Sequence, residues 1–293
     1  MRGFCELFPL WIRILFPTCP TGLKTSDKSE AQRLFAHPGV DVPTLVLCAA
    51  MWAGLVGNAL WAWREPGPLW AHALAAVFFL NFSFTIWHEA AHGTAFRSRL
   101  GNDLVGVLGS FPALIPYFMI RRVHHLHHEF TNDPERDPDY WFLQGSIWSL
   151  PLRYLGGVRR TKAFAQSTNP PAREVWMDRA TMLAALGLMG FFLWHGRGVV
   201  LLAVWLVPKG IAMWIHAWYV NVLPHRGLPA ERYRDTRIFP VGWLVPLTLC
   251  HNYHGLHHAW QTVPWHRYGR AFRAREQWLA ERGTPVHRRL VSS

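Results

Sequence analysis

Long apolar stretches without charge alternate with polar segments along this chain. Residues 43–63 and 66–87 contain no charged side chain, and only two charged residues separate them. Residues 180–195 and 199–220 form a second pair around a Gly-Arg-Gly turn, with one internal lysine. Because about 20 apolar residues cross a bilayer core as a helix, each pair predicts a transmembrane hairpin. The pattern predicts an all-α integral membrane protein with two transmembrane helical hairpins, about four spans.

Three other apolar stretches do not fit ordinary spans. Residues 104–120 and 238–250 are short and broken by prolines, so re-entrant or interfacial segments are predicted there. The apolar N-terminus is interrupted by Glu6, Pro9 and Arg13. These interruptions favour an interfacial anchor over a signal peptide.

The same pattern divides the chain into three regions. Residues 1–42 are predicted to be an N-terminal cytoplasmic or interfacial segment, and residues 43–270 a membrane domain. Residues 271–293 are strongly basic and are predicted to be a C-terminal tail. The histidine-rich loops between these limits would form a cap on one side of the membrane.

Composition and charge indicate on which side of the membrane that cap lies. The chain is 51% hydrophobic and only 16% charged, which excludes an ordinary soluble domain. Segments 1–42, 88–179 and 221–293 hold 5, 11 and 11 of the 30 Lys and Arg residues. Because hairpins return the chain to one side, these segments share a face, which the positive-inside rule places in the cytoplasm. We predict a bacterial inner membrane location, and the net charge of +12 requires no nucleic-acid partner.

Histidines cluster at the cytoplasmic ends of the predicted spans. HEAAH begins at His88, HHLHH covers 124–128 and HNYHGLHH covers 251–258. Residues three or four apart on a helix share a face, so each motif aims several imidazoles at one point. A metal ion takes about four to six ligands, and nine candidates therefore favour two metal ions. Eight of the candidates lie in these motifs, and the ninth, His225, lies just past the fourth span in LPHR. The candidate ligands are His88, His92, His124, His127, His128, His225, His254, His257 and His258.

Other histidines are predicted to have other roles. Within the motifs, His125 is turned aside by about a quarter turn, and His251 lies one turn before the last cluster. His216, inside the fourth span, is predicted to pack in the core, and the alternatives are a metal ligand or a residue that supports a ligand. Packing or interfacial positions are predicted for His72 and His195, and solvated positions for His37, His266 and His287.

Several polar residues near the motifs are candidates to orient the ligands. A carboxylate that accepts the distal ring N–H of a ligating histidine fixes its tautomer. Candidates for this role are Glu89, Asp133, Asp137, Asp139 and Asp235. Asn252 is a candidate to hydrogen-bond a metal-bound water, and Asx-Pro turns are an alternative explanation for the aspartates between 133 and 139. No catalytic residue is predicted beyond the metal ligands.

Two other classes of protein use similar motifs. HEAAH satisfies the zinc-protease pattern HExxH, in which Glu89 would be the general base on a zinc-bound water. A protease would need only one or two more ligands, which leaves HHLHH and HNYHGLHH unexplained. A metal transporter would hold its ligands near the bilayer midplane, whereas these histidines lie at span ends.

The three histidine motifs around two hairpins resemble the membrane fatty acid desaturase and hydroxylase superfamily, over about residues 40–270. Within it, the chain is most similar to bacterial and cyanobacterial β-carotene hydroxylases and more loosely to β-carotene ketolases. HGTAFRSR (92–99), RRVHHLHHEFTNDPERDPDYW (121–141), LPHR (223–226), RYRDTR (232–237) and HNYHGLHHAWQTVPWHRYG (251–269) carry this similarity. The chain departs from the pattern of these sequences at Glu89, where Asp is usual, and at Gln261, where Pro is common. These differences bear on the identity of the substrate more than on metal binding.

The resemblance implies a function. The nine histidines would bind two non-haem irons that use O2 to hydroxylate an apolar lipid, first of all the ring of β-carotene. Fatty acid desaturation or hydroxylation and β-carotene ketolation are the alternatives. The printed chain has no GxGxxG after a strand and no iron-sulfur cysteine set, so an external electron donor such as a ferredoxin-like protein is predicted. The substrate would enter from the bilayer, and candidate channel walls are Trp87, Phe118, Trp141 and Trp260.

Overall fold

The computed structural model describes residues 28–65 and 67–289, which form helices joined by turns and loops. In chain order the helices are α1 (Lys28–Phe35), α2 (Val42–Arg64), α3 (Leu69–Ala91), α4 (Arg99–Ser110), α5 (Tyr117–Phe130), α6 (Leu150–Ser167), α7 (Ala172–Trp194), α8 (Gly198–His225), α9 (His254–Ala259) and α10 (Tyr268–Glu281). Single helical turns lie at Tyr140–Leu143 and Leu244–Thr248.

Four of these helices, α2, α3, α7 and α8, are long and apolar enough to cross a membrane. They form two hairpins, so the predicted all-α membrane fold with about four spans is confirmed. The predicted interfacial anchor around Glu6 to Arg13 lies outside the described residues.

The first hairpin begins at a capped helix end. The Asp41 carboxylate accepts hydrogen bonds from the backbone N–H and the hydroxyl of Thr44, at 3.3 and 2.6 Å, and Pro43 occupies the first turn. α2 and α3 approach closely at Gly54, where a Cβ atom would lie 2.3 Å from the Phe79 ring. α3 continues four residues past the predicted end at 87, so HEAAH lies on its last turn.

The predicted re-entrant stretch 104–120 contains a sharp bend. Residues 99–113 and α5 meet at an angle of 98°. Leu114 adopts a left-handed conformation with φ of 55°, and Pro116 immediately precedes α5. Because proline lacks an N–H and restricts the residue before it, one helix cannot continue through this point. The bend turns α5 so that HHLHH approaches the end of α3.

The third span is longer than predicted. We expected residues 180–195, whereas α7 begins at Ala172 and includes two acidic residues in its first two turns. The Glu174 carboxylate accepts hydrogen bonds from Arg121 and Arg122, and the Asp178 carboxylate accepts from two backbone N–H groups at the start of α5. These non-local partners satisfy the charges and allow the helix to extend.

The fourth span also differs from its prediction of 199–220. α8 runs from Gly198 to His225 and contains π-helical turns at Leu202–Leu206 and Ala217–Val222. Two prolines, Pro208 and Pro224, follow these turns and remove backbone donors. α8 extends five residues past the predicted end at 220, and His225 is its last residue.

The C-terminal helix α10 packs into the core. Phe272 and Leu279 are buried beside the residues of the last histidine motif, and Tyr268 is fully buried. The predicted boundary between residues 270 and 271 falls inside this helix, and the division into three regions remains a prediction.

Candidate metal centre

Five buried or half-buried histidines from three helices meet at one point, called here the first cluster. Their nearest ring nitrogens all lie within 4.8 Å of one another. The His88 Nε2 to His257 Nε2 distance is 3.0 Å, and the His92 Nε2 to His124 Nε2 distance is 2.8 Å. The members are His88, His92, His124, His128 and His257.

A second cluster of four histidines adjoins the first. Its ring nitrogens also lie within 4.8 Å of one another, and the His258 Nε2 to His254 Nε2 distance is 3.3 Å. The centroids of the His128 and His258 rings, one from each cluster, are 4.3 Å apart. The members are His127, His225, His254 and His258. The two clusters together contain all nine predicted candidates.

The clusters do not follow the sequence motifs. We expected HHLHH and the last motif each to aim at one point, whereas the structure divides both motifs between the two clusters. Residues four apart on a helix differ by about 40° in direction, and residues three apart by about 60° the other way. His124 and His128 therefore face the first cluster and His127 the second, and in the last motif His257 separates from His254 and His258.

The donor set fits metal ions. Several imidazole nitrogens approach each other closely, and the buried Nε2 of His225, a member of the second cluster, has no hydrogen-bond partner among the described residues. Burial, with a contribution from neighbouring histidines, holds the pKa of His254, His257 and His258 well below its ordinary value. These rings are therefore neutral, which is the form that binds a metal. The histidine clusters fit metal binding, and the identity of the ligands and of the metal is a proposal.

One predicted carboxylate holds a ring of the second cluster. The buried Asp137 carboxylate lies 3.0 Å from His127 Nδ1 and also accepts hydrogen bonds from the backbone N–H groups of Asn132 and Asp139. Burial lowers the pKa of His127, but the Asp137 carboxylate raises it more, to about 9, so a metal at Nε2 would displace a proton there while Nδ1–H donates to Asp137.

A tyrosine performs the same task in the first cluster, and sequence reasoning did not find it. The Tyr268 hydroxyl lies 2.9 Å from His257 Nδ1 and 3.4 Å from the Glu89 carboxylate. His257 donating to Tyr268, and Tyr268 donating to Glu89, makes a chain that leaves His257 Nε2 unprotonated. Glu89 also accepts from the Thr94 hydroxyl at 2.7 Å and lies 3.4 Å from His88 Nδ1. Nothing in the spacing of Tyr268 marks it, because its partner lies on another helix.

The other predicted orienting residues have different contacts. Asp133 bonds to Arg136 and to backbone N–H groups of its own turn, as the Asx-Pro alternative predicts. Asp139 is buried, which raises its pKa, and it lines a cavity instead of contacting a histidine nitrogen. Asp235 bonds to His225 Nδ1 through its backbone carbonyl, at 3.3 Å. The side-chain amide of Asn252 donates a hydrogen bond to the Phe239 carbonyl and accepts one from the Thr248 hydroxyl.

Histidines outside the clusters mostly agree with expectation. His125 bonds to the Ala91 carbonyl, His216 packs in the core against Asn81, and His251 contacts the Thr85 hydroxyl. His266 was expected to be solvated, but its side chain is only 9% exposed and lies 2.8 Å from the Asp41 carboxylate. This contact joins the C-terminal region to the start of α2, and no local pattern in the sequence reveals it.

An apolar cavity of about 540 Å³ leads to both clusters. His124 of the first cluster and His127 and His254 of the second line its inner end. Of the predicted channel walls, Trp87 and Trp141 line the cavity. Phe118 and Trp260 do not; Phe118 is buried beside Arg121, and Trp260 packs against Phe35 and Trp278.

Comparison with known proteins identifies the family. Residues 66–290 match the fatty acid desaturase family, and the chain belongs to it. This result confirms the predicted membership of the membrane desaturase and hydroxylase superfamily. Greater similarity to the hydroxylases than to the ketolases remains a prediction.

Individual relatives include ketolases and desaturases. Zeaxanthin 4-ketolase of Chlamydomonas reinhardtii is 27% identical, with 82% of this chain and 56% of the relative aligned. Beta-carotene 4-ketolase of Protosiphon botryoides is 23% identical over 81% of this chain and 65% of its own length. Dihydrorhizobitoxine desaturase of Bradyrhizobium elkanii is 26% identical over 48% of this chain and 47% of its own length. The chain thus spans about half to two thirds of the length of these relatives.

Proposed function

We propose that this protein is a membrane oxidoreductase that uses O2 and two non-haem irons to oxygenate a ring carbon of a carotenoid. The observation that carries the proposal is an apolar cavity within the membrane domain that ends on two adjoining clusters of buried histidines. Family membership and two carotenoid ketolase relatives support it.

The chain's own residues would hold the metals and exclude water. The first cluster would bind one iron through five imidazoles and the second cluster the other iron through four. Bound there, the irons would supply the activation of O2 and the oxidation of an unactivated C–H bond. Asp137 and the Tyr268–Glu89 pair would hold a proton on Nδ1 of His127 and of His257, so that Nε2 of each ring is the nitrogen presented to the metal. Trp87 and Phe84 in the cavity wall would position the substrate and keep water from the reacting carbon.

Two products are possible from this chemistry, a hydroxylated ring or a ketone. One hydroxylation gives an alcohol, and a second hydroxylation of the same carbon followed by loss of water gives a ketone. The hydroxylase prediction from the sequence stands beside relatives whose names specify 4-ketolation. These relatives favour the ketone, so we place ketolation first and hydroxylation second.

Fatty acyl desaturation is a second candidate function. The matched family carries that description, and one relative is a desaturase. The zinc-protease alternative is disfavoured by the Glu89 contacts, because its carboxylate already accepts from Thr94 and Trp265 instead of facing open space as a general base. His88 and His92 moreover share a cluster with three further histidines.

Electrons would come from a separate donor. A ferredoxin-like protein is proposed, docking on the side of the membrane where the histidines and most of the Lys and Arg residues lie. By the positive-inside rule we propose that this side is cytoplasmic and that the membrane is a bacterial inner membrane.

Expression in a bacterial host that makes β-carotene tests the function. Chromatography of the pigments should show canthaxanthin for a ketolase, zeaxanthin for a hydroxylase, and unchanged pigment with altered acyl chains for a desaturase. His128→Ala should abolish any product, whereas His195→Ala, an exposed ring far along α7 from the clusters, should not. Elemental analysis of purified protein should find about two irons per chain, since each cluster offers enough ligands for one. A content of one zinc ion per chain and no iron would refute the proposal.

A further inference from the structure

Among the four membrane-spanning helices, only α8 contains a lysine, and this residue, Lys209, lies in the wall of the apolar cavity. Lys209 is on α8, about 16 Å from the Gly198 end and about 24 Å from the His225 end at the rise of an α-helix. Those distances place it near the middle of a hydrocarbon core that is about 30 Å thick. An ionisable residue at such a depth carries an energetic penalty that a partner must offset.

The structure provides no such partner for Lys209. Across residues 28–65 and 67–289, no carboxylate forms an ion pair with its ammonium group and no hydrogen bond satisfies it. Its closest recorded contact is the ring of Tyr154 on α6, whose centroid lies 5.9 Å from Nζ. Both Lys209 and Tyr154 line the cavity, so the unpaired ammonium group is available to a molecule inside it.

The cavity therefore has two chemically different regions. Its inner end is lined by cluster histidines, and its wall away from them is lined by an ammonium group and a tyrosine ring. Lys209 and His216 line the same cavity about 10 Å apart along α8, and the clusters lie beyond His216. A long apolar molecule with its reacting carbon at the histidines would place a distant atom beside Lys209.

We propose that Lys209 recognises an oxygen acceptor at the end of the substrate remote from the reacting carbon. This inference rests on the proposed function and deepens it. For a carotenoid, the acceptor is the oxygen of an already oxygenated second ring; for a fatty acid, it is the carboxylate. Lys209 thus makes the enzyme prefer substrates that carry such an oxygen over pure hydrocarbons, since a buried hydrogen bond to a charged group is among the stronger ones.

Equilibrium binding to the metal-free full chain tests this preference without turnover. Quenching of tryptophan fluorescence, with Trp87, Trp141 and Trp214 in the cavity wall, reports carotenoid binding. The wild type should bind the mono-hydroxylated derivative at least about tenfold more tightly than β-carotene. Lys209→Met should reduce this ratio to within about twofold of one, and Lys209→Arg should largely keep it. Lys162→Met, an exposed lysine on α6, is the matched control and should keep the wild-type ratio.

A second ligand pair separates this inference from the proposed function. If no carotenoid binds, an 18-carbon fatty acid and the alkane of equal length replace the pigments in a displacement assay. A preference for the acid that Lys209→Met removes would support Lys209 and overturn the carotenoid assignment. Two results would overturn the role of Lys209. One is an equal ratio of the affinities for the oxygen-bearing ligand and the hydrocarbon in wild type and Lys209→Met. The other is a wild type that prefers neither oxygen-bearing ligand over its hydrocarbon.

Discussion

Replacing Tyr268 by Phe isolates the hydrogen-bond chain behind the first cluster. Tyr268 is fully buried, and its hydroxyl lies 2.9 Å from His257 Nδ1 and 3.4 Å from Glu89. Phe keeps the ring and therefore the packing, and it removes only the hydroxyl. His257 then loses the acceptor for its Nδ1–H, and the ring is free to carry its proton on Nε2, the nitrogen that faces the cluster.

The size of the effect follows from the groups left unpaired. A buried donor without an acceptor costs about 1–3 kcal/mol, and loss of a partner behind a metal ligand lowers metal affinity or activity about 10- to 100-fold. A 10- to 100-fold loss corresponds to about 1.4–2.8 kcal/mol, so the two estimates agree. The second cluster relies on Asp137 behind His127 and should keep its affinity.

Competition with a chelator measures the two sites separately. Tyr268→Phe should release one iron of two at a chelator concentration about 10- to 100-fold below that for the wild type. Asp137→Asn should produce the complementary loss from the second cluster. Tyr233→Phe, whose ring packs on Trp278 away from the clusters, is the control and should resemble the wild type. Unchanged affinity in Tyr268→Phe, or equal loss from both sites, would refute the reasoning.

Three further predictions concern stability. Glu174→Gln should lower the free energy of unfolding by about 3 kcal/mol, because the buried carboxylate joins Arg99 of α4 to Arg121 and Arg122 of α5. Glu231→Gln, in an exposed pair with Arg234, should change it by less than about 1 kcal/mol. Equal losses for the two variants in thermal unfolding would contradict the first estimate. Gly54→Val should lower the midpoint of thermal unfolding, since its Cβ would meet the Phe79 ring at 2.3 Å, whereas Gly57→Val at an open position should have a smaller effect. The metal-free protein should lose stability as pH falls below about 6.5. Histidines of the unfolded chain bind protons in that range, whereas the lowered pKa values of His254, His257 and His258 keep these rings neutral in the folded protein. A midpoint of thermal unfolding that rises as the pH is lowered from 8 to 5 would contradict this prediction.

Local patterns in the sequence were sufficient for much of the architecture. A run of about 20 apolar residues has few alternatives to a membrane helix, so the two hairpins could be predicted from composition alone. Helical spacing likewise identified eight of the nine histidines that the structure collects into two clusters, and the ninth, His225, was identified by its position after the fourth span. Both inferences depend on residues that are close in the chain, where helix geometry relates spacing to direction.

Contacts between distant residues decided the rest. The length of α7 depends on two arginines of α5 that pair with Glu174, and the division of the motif histidines between the clusters depends on how α3, α5 and α9 meet. Asp137 rather than Asp133 supports a ligand because the turn after α5 directs it inward, and Tyr268 reaches His257 only through the packing of α10. The sequence determined which residues could bind a metal and lie in a membrane. The tertiary structure decided which of them meet, because the packing of separate helices sets those distances and periodicity does not.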